Sequence, residues 1–355
     1  MSKIIRIGTR NSELALWQAT TVQNKLEALG YATQLVPVKS EGDLVLDKPL
    51  YEMGITGIFT KTLDIAMLNG TVDIAVHSMK DVPTALPKGI IQTAVLERAT
   101  ATDIVVTKKK GVDFTKPCTI ATGSLRRKAQ WLHRYPHHTV VDLRGNVNTR
   151  LQKLANNDWD GAIFAKAGLE RINILPENYN NLDWMIPAPA QGAMVVVALE
   201  KDDYSCEATE KLTNKNAAIT TQIERAFLRT LEGGCTAPIG AYAEVVGNAI
   251  DFKGCLFSLD GTEKIELLKV MSARLLPYLN FKSILVYYIP GVYKRMTFIY
   301  IIYVFFHKFV RFYCLVGHKC GFTLGGGEYG CEYLTTAAKI KKNLSYLMCS
   351  QLSFF

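Results

Sequence analysis

Two hydrophobic periods alternate along the first 235 residues: short apolar runs that read as strands, and amphipathic stretches that read as helices. A strand over Lys3–Gly8 leads through the polar turn Thr9-Arg10-Asn11-Ser12 into a helix. That helix has Leu14, Leu16, Trp17, Val22, Leu26 and Leu29 on its apolar face. Asn11 or Ser12 can cap it, and Gly30 ends it. A second strand follows through Gln34–Val38, then the polar loop SEGD at 40–43 and the glycine-containing segment MGITGIFTK at 53–61. A helix from about Thr60 runs to Asn69-Gly70, and a strand begins at Asp73. Strand, helix, strand, helix, strand predicts a parallel, doubly wound unit.

The stretch Asp73–Pro83, DIAVHSMKDVP, organises this unit. Ile74, Ala75 and Val76 are apolar without alternation, the pattern of a strand buried on both faces. His77, Ser78, Lys80 and Asp81 fall at its C-terminal end, the edge at which open α/β sheets bind ligands. An acid beside a base at a strand tip also occurs as a solvated loop pair.

A second unit of the same kind begins near Ala99. CTIAT (118–122), HTVVDL (138–143) and DGAIFA (160–165) read as strands, each followed by a helix with arginine near its start: Arg126 and Arg127, Arg144 and Arg150, and Arg171. Arginine in a first helical turn opposes the partial positive charge of the helix N-terminus, unless an anion lies nearby. Five such arginines along one sheet edge, with Arg10 on the facing unit, predict a cleft for a ligand carrying several carboxylates or phosphates. Neither GxxxxGK[ST] nor GxGxxG occurs, which favours carboxylates.

Beyond PAPAQGAM, the apolar strand MVVVAL (194–199) returns the chain to the first sheet. A helix with Ala226, Phe227 and Leu228 then ends at Glu232-Gly233-Gly234-Cys235-Thr236, where two glycines present Cys235 on a loop as a candidate nucleophile. Cys118 and Cys255 sit in apolar runs and are expected to be inert.

Composition narrows the function classes. With 355 residues, 48% hydrophobic and 21% charged, the chain is an ordinary globular protein long enough for two or three domains. MSKIIRIGTRNSE has no apolar stretch of signal-peptide length, so the expectation is a cytoplasmic protein whose eight cysteines are thiols. The net charge of +9 does not signal nucleic acid, because +7 of it belongs to residues 277–355. No membrane span and no metal site are expected. FIYIIYVFF (298–306) is shorter than the ~20 residues of a spanning helix, and Cys314, His318, Cys320 and Cys331 match no zinc spacing.

IRIGTRNSELALWQA, GIFTKTLDIAM, DIAVHSMKDVPT, ATGSLRRKAQWL, LRGNVNTRLQKL, AKAGLERI, PAQGAM and ERAFLRTLEGGC together resemble the porphobilinogen deaminase (hydroxymethylbilane synthase) family, in order and spacing from residue 3 to about 262. The resemblance implies an α/β fold: two doubly wound, periplasmic-binding-protein-like domains facing a cleft, with a small α+β third domain. Residues 1–98 with 194–218 would form the first domain, 99–193 the second, 219–275 the third, and 276–355 an atypical tail. It implies a transferase of haem and tetrapyrrole biosynthesis that polymerises four porphobilinogen units head to tail, releasing ammonia. A dipyrromethane cofactor would be joined through a thioether to Cys235. Asp81 maps onto the catalytic aspartate. Lys80, Lys61, Ser124, Arg126, Arg127 and Arg144 map onto cofactor-binding positions, and Arg10, Ser12, Arg144, Arg150, Arg171 and Gln191 onto substrate-binding ones. A monomer that hands its product to uroporphyrinogen-III synthase is implied as well. The alternative is a non-catalytic or inactive anion-binding protein of the same fold, from which Asp81 and Cys235 would distinguish it.

Three departures stand out. Thr56 replaces a common lysine, and Thr122-Gly123-Ser124 has glycine where the family has a second hydroxyl. A glycine there is expected to open the neighbouring N–H to an anion. After about Ala273 the chain holds no Asp, no Trp and 19 of its 35 aromatic residues. The helices expected to cover the third domain's strands, roughly 238–270, are not recognisable in it, so poor order of 276–355 is expected.

Overall fold

A computed structural model describes residues 3–38, 60–231 and 237–272. The expectations for 40–43, 53–59 (with Thr56), Cys235 and its glycine turn, and 276–355 lie outside the described residues.

The first sheet is built from β1 (Ile5–Arg10), β2 (Thr33–Val38), β3 (Ile74–Ser78), β4 (Ile90–Val95) and a late strand, β10 (Met194–Leu199), in the order β2-β1-β3-β10-β4. Alternate residues explain why β10 and the Ile74–Val76 run of β3 are apolar without alternation. Ile5, Ile7, Ile74 and Val76 face α1 (Glu13–Ala28) through Ala19, Val22 and Leu26, while Ala75, Val195 and Val197 face α2 (Lys61–Leu68) through Leu63 and Met67. Ser12, not Asn11, caps α1: its Oγ accepts from the Ala15 N–H at 3.4 Å. β1 begins two residues later than the hydrophobic pattern predicts and runs on to Arg10, because Thr9 and Arg10 still pair with β2.

The second sheet repeats this order with β5 (Asp103–Thr107), β6 (Thr119–Ala121), β7 (Thr139–Val141), β8 (Gly161–Ala165) and β9 (Tyr179–Asn181), arranged β7-β6-β8-β5-β9. α3 (Leu125–Arg134) packs on one face through Trp131. α4 (Val147–Asn156) and α5 (Lys166–Glu170) pack on the other through Leu154 and Leu169.

The expected parallel pairing holds for the first three strands of each unit: β1 with β2 and β3, and β6 with β7 and β8. The strand by which the chain crosses into each sheet, β5 or β10, inserts antiparallel beside the third. Both sheets are therefore mixed. The sequence pattern did not single out β4, β5 or β9, and β9 is three polar or aromatic residues held by backbone pairing.

The two crossing segments touch at Gly192, whose carbonyl accepts from the Ala99 N–H at 3.1 Å. Gly192 has φ +86°, and a Cβ there would lie 2.4 Å from the Ala99 carbonyl oxygen, so this contact requires glycine.

After α6 (Asp203–Glu210), α7 (Lys215–Thr230) leads to an antiparallel sheet of β11 (Ile239–Val246), β12 (Ala249–Phe257) and β13 (Lys264–Ser272). One face of this sheet is covered by a helix that precedes it, and the expectation about later helices falls outside the described residues. That helix, α7, buries the face through Ile223, Phe227 and Leu228 against Ile239, Ala241, Ile250 and Phe252. Leu268 and Val270 on β13 remain 66% and 71% exposed.

Candidate active site

β3 delivers a single 3-10 turn, Met79–Asp81, at the C-terminal edge of the first sheet. Ser78 accepts from Gln18 Nε2 at 2.9 Å, and the Met79 N–H reaches the Ala193 carbonyl at 3.0 Å, tying the turn to the crossing segment. Lys80 and Asp81 are half-buried there. Burial, opposed by Asp81 and reinforced by Arg127, pushes the Lys80 ammonium down to about 8. His77, which the sequence places beside them, is 6% exposed; burial and then Arg10 push its imidazole down to about 4. It is neutral at pH 7.

On the second sheet the helix-start arginines are buried, with Arg126 3% and Arg127 5% exposed. Ser124 caps α3, accepting from the Arg127 N–H at 3.5 Å. The charge that makes arginine tolerable in this first turn is Asp103, the first residue of β5 and wholly buried. Its Oδ2 accepts from Arg126 at 2.7 Å, and its Oδ1 accepts from Arg127 Nε at 3.0 Å and NH2 at 2.7 Å. Gln191 Nε2 donates to the same Oδ1 at 2.9 Å. Burial alone would raise the Asp103 carboxyl, but the two guanidinium groups outweigh it and hold it well below the usual carboxylate range. One carboxylate shared by two arginines leaves net positive charge, and Arg126 Nε is buried with no hydrogen-bond partner.

Gly123, just before this cap, is explained by space. A Cβ there would lie 2.4 Å from the Leu143 carbonyl oxygen, so the backbone of the β6 tip touches that of the β7 tip. This close approach by itself requires glycine at 123.

The two edges sense each other. Burial, then Arg127, pushes Arg150 down to about 10, with Asp81, Arg144 and Arg10 also acting on it; it remains a cation at pH 7. Arg150 Nε donates to the Gly145 carbonyl at 2.8 Å. Arg144 is buried at the same tip, with Asp142 opposing the effect of burial on its guanidinium. Across the mouth, Asn148 donates to Glu13 at 2.7 Å. Arg171 lies 5.6 Å from the centroid of the Trp17 ring and donates to the Gly192 carbonyl at 2.7 Å.

Other sequence-singled residues fall differently. Lys61 is exposed at the start of α2. Gln191 is 1% exposed and spends its amide nitrogen on Asp103 and the Ala101 carbonyl, leaving its Oε1 buried without a partner. Burial raises the thiols of Cys118 and Cys255, the latter to about 12, which makes them poor nucleophiles. Asp103, and the α7 pair Glu224 and Arg225, were not singled out by the sequence. Asp103 reads there as one more polar residue before the apolar run IVV.

An anionic pyrrole cofactor suits these residues: Lys80, Arg10, Arg126, Arg127 and Arg150 act on one region, and Asp81 is set among them. Among the described residues no cluster of His, Cys, Asp or Glu could hold a metal ion, and no helix is long and apolar enough to cross a membrane.

Known proteins agree with this chemistry. The family model "Porphobilinogen deaminase, dipyromethane cofactor binding domain" matches residues 5–207, and "Porphobilinogen deaminase, C-terminal domain" matches 218–274. The porphobilinogen deaminase of Syntrophotalea carbinolica is 41% identical over 271 residues, covering 75% of this chain and 86% of that protein. That of Campylobacter hominis is 43% identical over 270 residues, covering 74% and 87%. Among solved structures, the Bordetella pertussis BvgS VFT2 domain is similar at a TM-score of 0.38 and 12% identity, covering 59% of this chain and 86% of that one. The chain therefore belongs to the porphobilinogen deaminase family.

Proposed function

We propose that this chain condenses four porphobilinogen molecules head to tail into the linear hydroxymethylbilane, releasing one ammonia per condensation, with Asp81 as its catalytic carboxylate. The observation that carries the reading is the setting of Asp81: beside Lys80 on the β3 edge, within electrostatic reach of Arg127 and Arg150 from the other sheet. A purely anion-binding protein needs the cations but not the carboxylate.

Each porphobilinogen brings an acetate and a propionate, so cations are needed along the growing chain. Arg10, Ser12, Arg144, Arg150, Arg171 and Gln191 are assigned to substrate, and Lys61, Lys80, Ser124, Arg126, Arg127 and Arg144 to the cofactor. Gln191, buried on Asp103, would act by holding Arg127 in place. When ammonia leaves, the substrate pyrrole becomes electron-poor and its N–H more positive. A fixed carboxylate at Asp81 stabilises that charge more than it stabilises neutral substrate, which lowers the barrier. Asp81 can also pass a proton to the departing amine and take the α-proton after the new C–C bond forms. A dipyrromethane bound through Cys235 would supply the primer to which the first unit is added. The enzyme is read as a cytoplasmic monomer whose open-chain product passes to uroporphyrinogen-III synthase.

Intact mass of the purified chain, alongside porphobilinogen consumption, tests this function. The expected result is a mass increment of two linked pyrroles that disappears in Cys235→Ser together with turnover. An unmodified, inactive wild-type chain that still binds porphobilinogen would favour the anion-binding alternative.

A further inference from the structure

The turn that carries Asp81 has little of its own to hold it. Three residues of 3-10 helix are followed by Val82 and then Pro83, which has no N–H, and the Val82 N–H reaches the Met79 carbonyl at 3.2 Å. Helix α7 supplies what the turn lacks. Arg225 donates through one terminal nitrogen to the carbonyls of Met79 at 3.1 Å and Val82 at 2.9 Å, and through the other to that of Pro83 at 2.6 Å. One helical turn on, Arg229 donates to the Thr84 carbonyl at 2.5 Å. These carbonyls bracket Asp81 on both sides.

The helix making this grip is itself fixed. Glu224, adjacent to Arg225 and fully buried, accepts from Arg98 at 2.6 and 3.0 Å, from the Ala190 N–H at 2.6 Å and from the Ala243 N–H at 2.7 Å. Both crossing segments and β11 are thereby tied to α7. Arg98 also donates to the Gln191 carbonyl at 2.9 Å and lies 5.1 Å from the Tyr242 ring centroid. A guanidinium can satisfy three carbonyls at once from a rigid fork, whereas an ammonium on a flexible stem cannot hold the same geometry.

We propose that Arg225 is a positioning residue for the reaction: from α7 it clamps the backbone on either side of Asp81 and so sets where that carboxylate stands against the reacting pyrrole. The proposal rests on the reading of Asp81 as the catalytic carboxylate. A carboxylate displaced by a fraction of an ångström loses much of its effect on the transition state while leaving ground-state binding of substrate carboxylates in place.

The test is a double-substitution cycle on full-length holoenzyme, with Arg225→Ala, Asp81→Asn and the pair, each checked for covalent cofactor by intact mass and for melting temperature. Arg225→Ala is expected to lower kcat by at least about tenfold with KM for porphobilinogen changed less than about twofold. Added guanidinium should recover part of the loss. In the Asp81→Asn background the same substitution should cost nothing further, since Arg225 acts through Asp81. Equal fold losses in both backgrounds, or an unchanged kcat in Arg225→Ala, would overturn the proposal. Should Arg225→Ala not accumulate as folded holoenzyme, Arg225→Lys carries the same cycle and is judged by the same ratio. If Asp81→Asn itself turns over at a near-normal rate, the Asp81 reading fails first; a crippled Asp81→Asn with an indifferent Arg225→Ala fails the positioning role alone.

Discussion

The two five-stranded sheets share a strand order yet keep their charge in different ways. In the first, Lys80 and Asp81 ride half-buried on a short turn past the end of β3, and the backbone of that turn is held by the crossing segment's backbone and by the Arg225 side chain of α7. In the second, Arg126 and Arg127 lie almost wholly inside the protein, pinned by Asp103 from the crossing strand β5. The same topology therefore yields one edge whose proposed catalytic group borrows its rigidity, and one edge whose cations carry a built-in counter-charge. Buried guanidinium groups at a helix N-terminus demand a carboxylate. An acid that must meet a passing substrate cannot be locked up in the same manner, so its fixing falls to the backbone around it.

The comparison is broken most severely at Asp103. Asp103→Asn leaves two buried guanidinium groups facing a neutral amide and is expected to destabilise the fold by about 3–5 kcal/mol, measured by denaturant or thermal unfolding. The Asp103 carboxyl titrates below its ordinary value in the folded chain, so its contribution is complete above the usual carboxylate range. It fades as pH falls below about 4. Wild type and Asp103→Asn should therefore converge in stability towards acid pH, and a constant gap would mean that Asp103 is not the ionised partner.

At the other edge the proposal for Asp81 predicts a catalytic loss. Asp81→Asn should leave melting temperature and covalent cofactor near wild type while lowering turnover at least about a hundredfold, the scale of one removed electrostatic or proton-transfer group. A large drop in stability with it would erase the distinction drawn between the two edges.

The smallest effect belongs to Lys80. Its ammonium, pushed down to about 8 by burial, is a cation at neutral pH and loses its charge as pH rises through that value. If that charge binds a substrate or cofactor carboxylate, KM for porphobilinogen should rise by up to about tenfold between pH 7 and 9. Lys80→Arg, charged throughout, should flatten the rise. A flat wild-type profile would assign the neighbouring arginines the whole of that binding.

Much of this was legible in the order of residues. The apolar run before His77 implied a strand buried on both faces, and β3 lies between β1 and β10 with helices on either side. The arginines after three successive strands implied one cationic edge, because strand tips in a parallel unit point the same way; Arg127 and Arg144 do both act on Arg150 across β6 and β7. Local period and turn chemistry suffice for such statements, since each concerns residues close in sequence.

Tertiary structure alone decided what neutralises and what steadies these groups. Asp103 lies 23 residues from Arg126 and 88 from Gln191. Arg225 meets Met79 from 146 residues away, and Glu224 gathers Arg98, Ala190 and Ala243 from three stretches of chain. A single carboxylate before an apolar run and an arginine within an amphipathic helix look alike whether solvated or buried. Their partners are brought near only when the chain crosses twice between sheets and then folds α7 against the result. Apart from β4, β5 and β9, the sequence determined which of the described elements form and which edge collects charge, because hydrophobic period is a local property. The burial of that charge, its counter-ions and the bracing of Asp81 arise only from long-range packing.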